Sequence, residues 1–153
     1  MAGNVFISSV GLSRLQARSI LDGAFAEAHK TVKQPLTVVV LDGGGNLVAA
    51  EREDGCAPLR FPVAQGKAFA ALGNGVSSGV VGNRNAERPA FLSSVAAAAG
   101  GNFIPVAGGV LILDESQHII GAVGVSGASS AEDERVAIAG IESAGLGIGL
   151  EPD

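Results

Sequence analysis

Apolar residues recur at Ala17, Ile20, Leu21, Ala24, Phe25 and Ala28, at the spacing of one helical face. Ser13 stands just ahead of them and Gln16 three residues later. In this capping-box spacing the Ser hydroxyl accepts from the Gln16 N–H while the Gln side chain reaches back. The pattern predicts a helix from about Leu12 to Thr31 that ends before Pro35. Leu36 to Leu41 is unbroken and rich in β-branched residues, so it reads as a buried strand. Asp42-Gly43-Gly44-Gly45-Asn46 is a turn, and Leu47 to Glu51 returns as a second strand. Glycine and asparagine tolerate the positive φ that tight hairpin turns require. Pro58 to Leu72 is helical again, with Ala-rich spacing around Lys67. Pro62 falls near its start, where a missing N–H matters least.

The pattern breaks between Asn74 and Asn102, which mixes glycines, the charged group Arg84, Glu87 and Arg88, and the run Ala96 to Ala99. Loop and short helix are expected there. Val110 to Leu113 and His118 to Ser126 form a second hairpin around Asp114-Glu115-Ser116-Gln117. A closing helix starts at Ser129 or Ser130 and stops at Gly145, with Glu132, Asp133 and Glu134 in its first turn, where acids favour the helix dipole. Two hairpins with intervening helices predict an α/β domain of the α+β kind. Its sheet is antiparallel and covered by helices, not doubly wound and parallel.

Composition narrows the function classes. The 153 residues suit one domain, 1–153, large enough to bury a core. Six Phe are the only aromatics and 23 residues are Gly, so the core is built of small aliphatic side chains at close spacing. Ten Lys and Arg against 15 Asp and Glu give a net charge of −5, which repels nucleic acid. Cys56 is the only cysteine, so no internal disulfide forms. Met1 to Val10 lacks the basic start and long apolar run of a signal peptide, and every apolar run is interrupted short of a membrane span. A cytoplasmic protein with no membrane partner is expected.

Several blocks then occur in order: Asp42-Gly43-x-Gly45-x-Leu47-Val48, Arg52-Glu53-Asp54-Gly55-Cys56, Gly66-Lys67-Ala68, Gly108-Gly109-Val110, and Ile120-Gly121-Ala122-Val123-Gly124-Val125-Ser126-Gly127, followed by Asp133 and an Ala-rich helix. Together they resemble the GlcG/HbpS-like haem-binding family, also found as the C-terminal domain of PduO-type proteins. The resemblance runs from about Leu12 to Gly149. It implies a five-stranded antiparallel sheet flanked by helices, like profilin-like sensory domains, and a homo-oligomer. It also implies haem or another tetrapyrrole as ligand. Glu53 stands where the family usually has an apolar residue, Cys56 replaces a usual Ala, and Leu111 replaces a usual Pro.

The side chains able to ligate haem iron are His29, His118, Cys56 and Met1. His29 is the cofactor-binding candidate, although at a helix end a charged imidazole also serves the dipole. His118 belongs to a hairpin turn and reads as solvated. A serine hydrolase is excluded, because Ser126 lacks the second glycine of a nucleophile elbow and His118 is about 26 Å away along one strand. No Cys or His pair has zinc spacing, so no metal site is expected.

The charged set is more informative. Lys67 among small apolar neighbours either has its charge disfavoured by burial or is held charged by an acid such as Asp54, as a structural ion pair or as part of a site. In the site version Arg52 and Lys67 grip a carboxylate while Asp54 or Glu53 moves a proton. Arg84 and Arg88 complete it from the same or a neighbouring subunit. Lys67, Asp54 and Glu53 are thus the catalytic candidates. Arg52, Arg84, Arg88, Gly108, Gly109 and Ser126 are the ligand-binding ones. The leading expectation is a small-molecule-binding domain with haem or another tetrapyrrole as ligand. A cofactor-free isomerase or lyase acting on a small carboxylate is the alternative, and a non-catalytic assembly domain a third.

Overall fold

The structure, a computed structural model, describes residues 3–153. Met1, one of the four potential haem ligands, lies outside the described residues. In chain order the elements are α1 (Arg14–Thr31), β1 (Thr37–Asp42), β2 (Leu47–Arg52), α2 (Arg60–Asn74), α3 (Ser78–Arg84), α4 (Pro89–Ala98), β3 (Gly109–Leu113), β4 (Ile119–Ser126), α5 (Ser130–Ser143) and β5 (Gly147–Gly149). The five strands form one antiparallel sheet in the order β2-β1-β4-β3-β5.

Helices α1 and α5 begin on local hydrogen bonds. Ser13 and Gln16 cap each other at α1, and Ser129 and Glu132 do the same at α5. The turn at Asp42 is tied by its own carboxylate, which accepts from the Gly44 and Asn46 N–H groups, and there only Gly45 takes a positive φ, 82°. In the second hairpin Gln117 turns the chain at φ 65°. Both hairpins and the closing helix stand where the pattern put them. The unpatterned stretch holds two short helices, α3 and α4. The hydrophobic pattern placed four strands, and the fifth is the short Gly147–Gly149 segment against β3.

Alternation along the strands divides the core. Val38, Val40, Val110, Ile112, Val123 and Val125 face α1 and α5. Val39, Leu41, Leu111 and Ala122 face α2, which contributes Ala64, Ala68 and Ala71. A smaller cluster of Ala70, Val76, Val81 and Phe103 joins α2 to α3. Glycine sets how closely α2 approaches. Gly109 and Gly124 are cross-strand partners, and a Cβ on Gly124 would sit 1.9 Å from the Ala64 carbonyl oxygen, one on Gly109 2.2 Å from that of Lys67. The helix backbone therefore rests on the sheet there, and the direction of the Lys67 side chain follows from that contact. Among the described residues no helix is long and apolar enough to cross a membrane.

Candidate functional site

A groove of about 400 Å³ runs between α1 and the end of β2, lined by Asp22, Phe25, Ala26, His29, Glu51, Arg52 and Glu53. Asp22, Phe25 and His29 lie at i, i+3 and i+7, so one face of α1 presents all three. The His29 Nε2 is 3.0 Å from Glu53 Oε2, and Glu53 Oε1 accepts from the Leu36 N–H at 2.8 Å. That second bond holds the carboxylate in place, and the carboxylate in turn orients the imidazole. In the neutral ring the shared proton sits on Nε2, leaving Nδ1 as the lone-pair donor. The ring remains open to solvent, with 68% of its side chain exposed. Glu51 pairs with Arg18, whereas Arg52 has no hydrogen bond or ion pair among the described residues.

On the other face of the same sheet edge, Thr37, Ala50, Glu51, Arg52, Pro58 and Phe61 line a groove of about 350 Å³. Beneath it Thr37 Oγ1 and Cys56 Sγ meet at 3.3 Å, both buried. Ser126, the last residue of β4, is the register partner of Thr37 and is also buried.

A third constellation is closed. Lys67 Nζ donates to Asp133 Oδ2 at 2.9 Å and to the Val125 carbonyl at 3.0 Å, and the two side chains are only 5% and 2% exposed. Asp133 Oδ1 also accepts from the Ala128 N–H at 3.0 Å. The ion pair thus joins α2, the end of β4 and the first turn of α5. Gly108 covers it: a Cβ there would come within 2.8 Å of Lys67 Cδ. Ser78 completes the layer by accepting from the Gly109 N–H at 2.8 Å.

The family model described as "Haem degrading protein HbpS-like" matches residues 12–142. The chain belongs to the HbpS-like family. Within it, protein GlcG of Escherichia coli strain K12 is 37% identical over 120 residues, spanning 78% of this chain and 84% of GlcG. Among solved structures, HbpS superposes with a TM-score of 0.74 at 26% identity, covering 93% of this chain and 95% of that one. PduOC, solved as a heme complex, gives a TM-score of 0.80 at 20% identity, covering 93% and 100%. The fold is therefore the HbpS-like fold.

On this HbpS-like frame the sequence candidates separate into groups. His29, Arg52 and Glu53 share the first groove. Lys67, Gly108 and Gly109 meet in the buried layer. The acid that pairs with Lys67 is Asp133 and not Asp54, because α2 turns Lys67 toward α5, while Asp54 stands exposed in the turn after β2. Arg84 and Arg88 each have a partner elsewhere in this chain. Arg84 pairs with Glu151, just beyond β5, and Arg88 lies 4.0 Å over the Phe91 ring. The strands β2 and β5 are opposite edges of the sheet, roughly 19 Å apart at ordinary strand spacing. His118 is exposed in its hairpin. Sequence reasoning missed Asp22, Phe25 and Glu51 as groove residues, although the helical spacing of the first two with His29 was available. No local signal pointed to Ser78.

Proposed function

We propose that the protein binds haem or another tetrapyrrole in the groove between α1 and the end of β2, with His29 as the ligand to the iron. The oriented imidazole of His29 carries this reading. Its Nε2 is engaged by a carboxylate that is itself anchored to backbone, the arrangement that fixes and strengthens an imidazole ligand. The neighbouring residues suit the group. Phe25 offers a flat apolar face, and Arg52 matches a propionate with its planar fork. The groove falls within the roughly 300–1,000 Å³ of small-molecule sites. Bound haem would supply a redox-active iron there. The HbpS family description and the heme complex of PduOC support the same choice of ligand.

The test is titration of hemin into the full chain, followed by the Soret band. His29→Ala should abolish the band shift, and Glu53→Gln should weaken binding about 10–100-fold, as loss of a supporting hydrogen bond does. An unchanged Soret spectrum and affinity in His29→Ala would remove this groove from consideration.

A second reading rests on Arg52 beside the Glu53–His29 pair. Arg52 would grip a small carboxylate while the pair moves a proton, as in a cofactor-free isomerase or lyase. Turnover of a small unsaturated acid, lost in His29→Ala and accompanied by no hemin binding, would favour it.

A further inference from the structure

We infer that residues 4–10 form an arm that adds as an extra strand to the free edge of β2 in a second copy of this chain. The first observation is the arm itself. Val5, Phe6, Ile7 and Val10 are 75%, 103%, 87% and 72% exposed, so four large apolar side chains within six residues have almost no packing partner. Such an exposed apolar patch marks a contact surface. Val, Phe and Ile are also strand formers, yet among the described residues the arm pairs with no strand.

The second observation is the receiving edge. β2 ends the sheet, and its six residues, Leu47–Arg52, leave one row of backbone groups unpaired. The opposite edge, β5, has only three residues, too short to match the arm. Grooves flank β2 on both faces of the sheet. One of about 420 Å³ includes Leu15, Leu21 and Val48, and the other, about 350 Å³, includes Pro58 and Phe61. Alternate side chains of an added strand point to opposite faces. Val5 and Ile7 would therefore enter one groove and Phe6 the other. The arm is uncharged, so it can cross the rim of Arg14, Arg18 and Glu51 without repulsion.

A second copy is the occupant that satisfies both features at once. Each chain has one arm and one open edge, so reciprocal exchange about a two-fold axis closes the assembly and covers eight large apolar side chains. This proposal stands whether or not the protein binds haem.

Sedimentation of the full chain at tens of micromolar should show self-association. Phe6→Asp/Ile7→Asp should weaken it about a hundredfold or more, the scale of losing two apolar anchors. The melting temperature of the separated chain should stay unchanged, because neither side chain packs within it. An Ile7→Cys/Leu47→Cys variant, mixed from two differently tagged batches and oxidised, should give disulfides joining the two tags. A monomeric parent, unaltered association of the charged variant, or crosslinks confined within one chain would overturn the proposal. The last result would mean that the arm folds back on its own β2, and capture of an unrelated protein in place of a second copy would equally refute it.

Discussion

Replacing Lys67 with Met tests the buried ion pair, since it keeps a flexible apolar stem and deletes only the charge. Asp133 would then keep the Ala128 N–H as its remaining partner, with its side chain 2% exposed. Removing one member of such a pair leaves an uncompensated buried charge, at a cost of about 3–5 kcal/mol. For a chain of this size each kilocalorie moves the melting temperature by about 2–4 °C, so the expected drop is roughly 6–20 °C. Urea unfolding followed by circular dichroism would give the same loss as a lower midpoint at constant slope. Adding Asp133→Asn removes the stranded charge while retaining an acceptor for the Ala128 N–H. The double variant should therefore recover much of the loss. A structural role also predicts that hemin affinity of Lys67→Met is unchanged wherever the variant is folded. A single-variant loss below about 1 kcal/mol, as for an exposed pair, would refute the reasoning. So would a double variant that loses the sum of the two single losses.

Gly124→Ala should cost about 1–3 kcal/mol in urea unfolding, because the added methyl meets the Ala64 carbonyl oxygen and α2 must move as a unit; a loss below about 1 kcal/mol would show that the helix can lift freely. Cys56→Ala should fold and lose only about 1–2 kcal/mol, since a small buried side chain and one contact with Thr37 are removed. A variant that fails to fold would mean the sulfur does more than fill space.

Much of this molecule is decided over three or four residues, and those features were legible in the sequence. The cap of α1 is one such case, because Ser13 and Gln16 bond within a single turn. The Asp42 turn is another, with donors two and four residues away. The face of α1 that carries Asp22, Phe25 and His29 follows from helical spacing alone, and the motif blocks pointed to the HbpS-like family. Tertiary structure decided the rest. Gly147–Gly149 has no strand pattern of its own and becomes β5 only because β3 offers a backbone edge. Glu53 became the partner of His29 because β1 and β2 fold back to bring it beside α1. Lys67 met an acid 66 residues away in place of one 13 residues away, because Gly109 and Gly124 let α2 rest on the sheet facing α5. Local hydrogen bonds set features such as the α1 cap and the Asp42 turn, whereas the partner of a long side chain depends on how closely two backbones can approach, and that distance is set by residues far apart in the chain.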